Sequence, residues 1–352
     1  MNRQGLKLKS EGVRVQSETP SIGLVGDIGG THCRFALSTH GQTELSAPAK
    51  YPCADFPDIL HAIAAYLARE APRKKIDWAV IAVAGPVDRD VVTLTNLSWR
   101  ISGPEIAAKF GMRDVRLIND FTAFARATPL VESEHLIALG DVAHAEAGAT
   151  MTAVVGAGTG LGVGGLMKTA AGVTPLTTEG GHSTFAPVTP LDLEIARVLR
   201  TKFERVSHER LLSGEGLVNI YWALSQLDGA SAETLTPRDI TRRAIDKSDS
   251  RCMRAAEVMS RVLGQYGGDV VLTLGARAGL YVSGGVIHSM IDVFDRAAFR
   301  EGFENKGRFR GYMEGIPAWI VVHPFAALLG SAALANDTIA PGGGRAASAS
   351  FA

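Results

Sequence analysis

Cysteine is scarce in this sequence: three residues in 352, at Cys33, Cys53 and Cys252. They form no C-x-x-C pair, so neither a clustered zinc site nor a disulfide framework can be built from them. Buried thiols in a reducing cytosol are the expectation. Net charge is missing too, because 36 Lys+Arg balance 36 Asp+Glu. That argues against a broad field for drawing in nucleic acid or an anionic membrane, while leaving room for a local basic patch. No apolar run approaches the ~20 residues that span a bilayer. The mixed-charge stretch 1–20 lacks the apolar core of a signal peptide. A G-x-x-x-x-G-K-S/T motif is absent, which removes the P-loop NTPases.

Glycine is plentiful, at 39 residues, within an ordinary globular composition of 46% hydrophobic and 20% charged residues. The length allows two domains, since one core serves roughly 100 to 200 residues. "SIGLVGD" reads as an apolar strand running into "DIGGT", and "HCRFALS" as a second strand, so this glycine turn joins two strands. A helix follows on the spacing of Ile59, Leu60, Ile63 and Leu67. "IDWAVIAVAGP" is a buried strand and "VVTLTN" a short one. Ser102 and Glu105 form a capping box for a helix that Gly111 stops. "VRLIND" is a strand with Asn119 and Asp120 at its C-terminal end.

At Met151 the pattern restarts: "MTAVVGAGTG" is strand and glycine turn, "LGVGGLMK" a returning strand. Helical sequence follows at 191–203, 213–227, 237–246 and 253–274, the third with Thr236 as N-cap and Pro237 at N1. The strand "GLYVSGG" and a helix at about His288 come after it. Strand–helix alternation argues for α/β architecture. The repeated strand–turn–strand unit resembles an internal duplication.

The second glycine stretch contains G-x-G-x-x-G at Gly160, Gly162 and Gly165. A dinucleotide fingerprint must open a helix and meet an acidic residue about 20 positions on. Here a strand follows, so a phosphate clamp between strands is the better reading. Gly26, Asp27, Gly29, Gly30 and Thr31 in the first turn can bring N–H groups and a hydroxyl to phosphate oxygens. Gly156, Gly158, Thr159 and Gly160 can do so in the second. Either could equally be a plain hairpin turn. Asp27 would repel phosphate unless it faces Mg²⁺ or one of its waters.

Asp120 stands where open α/β sheets place their chemistry and can accept a hydroxyl proton, or merely cap the next helix. Glu179 and His182 in "TEGGHSTFAP", Glu209 in "SHERLLSGEGL" and Asn96 in "TLTNLSW" suit sugar hydroxyls. The plainer alternatives are turn residues and a solvated Glu209–Arg210 ion pair. Gly284 and Gly285 in "YVSGGVI" admit a ribose or ring to the backbone, or tight strand–helix packing. Lys306, Arg308 and Arg310 in "ENKGRFR" read as solvated charge.

Taken in order, "LVGDIGGTHCRFAL", "LTNLSW", "LINDFTAFA", "VVGAGTGLGVGGL", "EGGHSTFAP", "ERLLSGEGLVNIY", "ENKGRF" and "VHPFAALLGSA" make the sequence similar to the bacterial glucokinase family over nearly its whole length. The resemblance implies a hexokinase/actin-like (ribonuclease H-like) two-domain α/β fold. Residues 21–119 with about 323–338 would form a small α/β domain, and 120–322 a larger α+β domain, with ATP and sugar in the cleft between them. Residues 1–20 read as a disordered extension and 339–352 as a flexible tail.

The resemblance further implies ATP-dependent phosphorylation of D-glucose at the 6-hydroxyl, with Asp120 as general base. Asn96, Asn119, Glu179, His182 and Glu209 match glucose-binding positions. Asp27 with Gly29, Gly30 and Thr31 matches the first phosphate loop, with Mg²⁺ beside Asp27 through water. Residues 156–160 match the second loop, and Gly284 and Gly285 the adenosine motif. A cytoplasmic homodimer without nucleic-acid or membrane partners is implied. The cysteine-rich zinc motif of the related ROK kinases and repressors is missing, as is a helix-turn-helix ahead of the kinase-like part. A kinase for mannose or fructose, or a sugar and ATP sensor without turnover, are the alternatives.

Overall fold

The computed structural model describes residues 21–339 apart from 86, 95, 96 and 98. The expectations for 1–20, Asn96 and 340–352 lie outside the described residues. β1 (Ile22–Ile28) and β2 (His32–Thr39) pair antiparallel across the first glycine turn, with Asp27 opposite Arg34. β3 (Leu45–Pro52) continues the sheet at its edge, a strand that its own sequence conceals. Pro48 cannot donate to a ladder, and it sits where the pairing with β2 slips between Phe35 and Leu37.

α1 (Ile59–Glu70) starts under Asp58, whose carboxylate accepts the His61 N–H. It buries Ile59, Ala62, Ile63 and Tyr66, with Leu60 and Leu67 on the flanks of that face. β4 (Trp78–Val83) is buried at every position, as a strand between two parallel neighbours should be. β5 (Val91–Thr93) and β6 (Arg100–Ser102) make a separate ribbon. α2 (Gly103–Phe110) is capped by Ser102 and ends at Gly111 with φ 66°. Only half of the expected capping box forms, because the Glu105 carboxylate turns to Arg100. β7 (Asp114–Asn119) completes the order β3-β2-β1-β4-β7.

α3 (Asp120–Ala127) leads to the second sheet. Its strands are β8 (Leu136–Ala138), β9 (Met151–Ala157), β10 (Leu161–Thr169) and β11 (Gly172–Thr178), then β12 (Leu280–Ser283) and β13 (Ala318–Val321). Their order is β11-β10-β9-β12-β13-β8. In each sheet an antiparallel hairpin around a glycine turn is followed by two parallel pairings. The duplication suggested by the sequence is thus visible in the topology.

The remaining helices are α4 (Pro190–Leu199), α5 (Gly214–Leu227), α6 (Pro237–Ile245), α7 (Ser250–Leu274), α8 (Gly285–Ser289), α9 (Arg296–Glu304), α10 (Arg310–Glu314) and α11 (Ala326–Thr338). α4 to α7 share one large apolar core with the second sheet. α11 packs Leu328, Ala332 and Ala335 onto Val25 and Val80 of the first sheet. α3 packs Phe124 and Ala127 with Val154 and Leu166 of the second. The two helices cross at Gly330, where any Cβ would overlap the Ala123 carbonyl. Both glycine turns line one cleft.

Candidate active site

The cleft has a volume of about 660 Å³ and takes its walls from both sheets. Asp27, Gly29 and Gly30 line it from the first turn, and Gly156, Gly158, Thr159 and Gly160 from the second. Asn119, Asp120, Glu179, His182 and Glu209 line it as expected, as do Gly284 and Gly285. Gly26 and Thr31 do not. Gly26 lies inside β1 opposite Phe35, and its missing side chain makes room for Ile81. Thr31 is exposed, and its carbonyl accepts the Cys53 N–H at 2.9 Å.

Asp120 opens α3, but it is not the cap. That role falls to Asn119, whose Oδ1 accepts the N–H groups of Phe121 at 2.9 Å and Thr122 at 3.2 Å. The Asn119 amide donates to the Gly85 carbonyl at 3.3 Å. Asp120 is left facing the cleft, with one oxygen 3.0 Å from the Phe121 N–H. Desolvation lifts its carboxyl to about 7, and the negative charges of Asp27 and Glu179 push the same way against the opposing backbone hydrogen bonds. A group poised there accepts a proton near neutral pH.

Asp27 is itself held high by burial, while the Arg34 guanidinium, 2.8 Å away, pulls it down. Arg34 also lines the cleft, and motif reading missed it. A signal was available: it is the one charged side chain in an apolar strand, directly across the ladder from Asp27.

The second turn closes on itself through Gly158 N–H to the Gly160 carbonyl, at 2.9 Å. Gly284 has φ 114°, and a Cβ there would collide with the Ala157 backbone, so only glycine brings β12 this close to the turn. The acidic wall is built from two 3-10 turns fastened side by side. Phe185 N–H donates to the Val206 carbonyl at 3.0 Å and His208 N–H to the Ser183 carbonyl at 3.0 Å. His182 Nδ1 lies 3.7 Å from Glu209 Oε1, and its Nε2 lies 4.0 Å from Glu179 Oε2. Glu209 does not pair with Arg210, which stacks instead over Phe203 at 4.2 Å.

Thr178, another residue the motifs did not single out, donates to the Val163 carbonyl at 2.9 Å and accepts the Gly180 N–H at 3.2 Å. It sets the turn that presents Glu179. Lys306 is not solvated charge: its ammonium is buried, 2.6 Å from Asp269 and 2.7 Å from the Gln265 carbonyl on α7.

A duplicated strand–turn–strand unit, with both turns opening on one cleft above two crossed helices, is the architecture of the actin-like ATPases. The class is that of the sugar kinases. The Glucokinase family model matches residues 24–338. Glucokinase of Caulobacter vibrioides is 42% identical over 318 residues, covering 88% of this chain and 94% of the relative. The crystal structure of a glucokinase from an Antarctic psychrotroph superposes with a TM-score of 0.81 at 33% identity, covering 90% of this chain and 99% of that one. A ROK family glucokinase from Streptomyces griseus, in complex with glucose and AMPPNP, shares the fold at a TM-score of 0.61 and 20% identity, covering 91% of this chain and all of that one. The chain belongs to the glucokinase family. It is an enzyme, and the reaction it catalyses is phosphorylation of D-glucose.

Proposed function

We propose that the enzyme transfers the γ-phosphoryl group of ATP to the 6-hydroxyl of glucose, with Asp120 as general base. The observation that carries this reading is the placement of Asp120 at the end of β7, in the cleft between two glycine turns, with its carboxyl raised to about 7. Its carboxylate orients the hydroxyl and receives the proton as the oxygen attacks phosphorus. The turns at 29–30 and 156–160 offer backbone N–H groups to the phosphates and to the charge that develops on them. Asn119, Glu179, His182 and Glu209 read the sugar hydroxyls. That an ATP analogue and glucose occupy the Streptomyces griseus relative together supports ATP as donor.

Among the described residues no group of three or more His, Cys, Asp or Glu side chains is arranged to hold a metal ion. Mg²⁺ fits such a site when the phosphates and waters supply most of its ligands. Asp27 is the carboxylate placed to face it, directly or through water. Bound there, the ion would neutralise phosphate charge.

We read residues 21–119 with about 323–338 as one body and 120–322 as the other, closing over the sugar to exclude water. Among the described residues no helix is long and apolar enough to cross a membrane, and we place the enzyme in the cytoplasm as a homodimer. The test is ADP release by the purified protein with Mg-ATP, with and without glucose, beside mannose and fructose. Glucose-dependent release supports the reading. Equal release without sugar, or turnover only of another hexose, overturns it.

A further inference from the structure

Glu209 reaches beyond the sugar side of the cleft. Its Oε2 accepts the Leu161 N–H at 3.0 Å, and Leu161 is the residue on which the chain leaves the second glycine turn. Its Oε1 faces His182. Ser213 Oγ donates to the Glu209 carbonyl at 2.8 Å, and Gly214 N–H donates to the Gly158 carbonyl at 2.9 Å. The segment from Glu209 to Gly214 therefore brackets the turn with one hydrogen bond at each end. The fit is tight: a Cβ on Gly160 would lie 2.6 Å from Glu209 Oε2.

We propose that Glu209 is the residue through which sugar and nucleotide sense each other, its carboxylate fixing the phosphate turn when a sugar hydroxyl fixes the carboxylate. This rests on the reading of Glu209 as a sugar ligand and of residues 156–160 as a phosphate clamp. A carboxylate can accept about four hydrogen bonds. One is committed to Leu161, so lone pairs remain for a hydroxyl without releasing the turn. A sugar donating to this side chain restricts it, and with it the Leu161 and Gly160 backbone. A phosphate held by the turn restricts the same atoms from the other side. Each ligand thus supplies ordering that the other needs, and linkage makes the effect reciprocal.

The test is calorimetric titration of glucose into the full chain, alone and with saturating Mg-AMPPNP. AMPPNP should tighten glucose by roughly 5- to 50-fold in the unmodified protein, within the usual span of coupling between sites. Gly160→Ala pushes the carboxylate off Leu161, and Glu209→Asp shortens it out of reach. In either variant, provided each ligand alone still binds, the ratio should fall to near one. His182→Asn should weaken glucose while keeping the ratio. Full coupling in both Gly160→Ala and Glu209→Asp, or none in the unmodified protein, overturns the proposal. Undiminished glucose binding by Glu209→Ala overturns the sugar-ligand reading instead, a distinct outcome.

Discussion

The ring of Phe121 lies directly on Gly162, and a Cβ at that glycine would overlap the ring. Gly156, one strand over, meets the same ring at its edge. These glycines therefore seat the residue next to Asp120, and for Gly162 that role differs from the dinucleotide contact that its spacing with Gly160 and Gly165 imitates. Gly162→Ala should displace Phe121, lower kcat by tenfold or more and cost roughly 1–3 kcal/mol in stability, as overpacking does. Urea denaturation beside steady-state kinetics checks both. Normal turnover in the variant would remove the positioning role.

Asp120→Asn should cut kcat by about a hundred- to ten-thousand-fold, the usual contribution of a general base. Glucose affinity by titration should stay within a few-fold. The same substitution should stabilise the fold. A carboxyl whose folded pKa is raised binds its proton more tightly when folded, so its ionisation erodes stability as pH rises from about 4 through 7. The gain in Tm of Asp120→Asn over the unmodified protein should thus be small at pH 4 and largest above pH 7. A gain independent of pH would contradict the buried-acid account.

The acid limb of kcat/KM should fall near pH 7, well above an ordinary aspartate, because only the ionised base accepts the proton. Asp27→Asn removes the charge that, after desolvation, does most to raise Asp120. It should therefore move that limb toward lower pH, as a pH profile of kcat/KM will register.

Arg34→Met leaves Asp27 in the cleft wall without its counter-charge, and an uncompensated charge there is costly. The variant should lose Tm, and the loss should shrink as pH falls, since Asp27, already raised by burial, takes up a proton on the way down and the missing guanidinium then matters less. Adding Asp27→Asn should restore much of the loss. An undiminished loss in the double variant would mean that Arg34 acts through packing rather than charge.

Much of the cleft was legible because its parts are local. A glycine turn between two apolar strands, or an Asn-Asp pair ending a strand, carries its geometry within a few residues. What stayed hidden depends on partners far along the chain. Lys306 looks solvated until α7 brings Asp269 against it. Glu209 looks paired with its neighbour Arg210 until the fold delivers the Leu161 N–H. β3 was unreadable because Pro48 argues against a strand, and only the bulge opposite Ala36 accommodates it. Asn119 reads as a sugar ligand, and only the fold reveals that its Oδ1 also caps the first turn of α3, which leaves its amide N–H as the group for a hydroxyl.

The crossing of α3 and α11 presents bare backbone to bare backbone at Gly330 and Ala123. Most helix pairs mesh ridges of side chains into grooves, and those teeth resist turning. Here there are none at the contact point, so the two backbones approach more closely than any pair of side chains would allow. The contact lies in the first turns of the helix that begins with Asp120. A single methyl group at residue 330 would wedge the two backbones apart and so disturb the seat of Asp120 without touching any substrate.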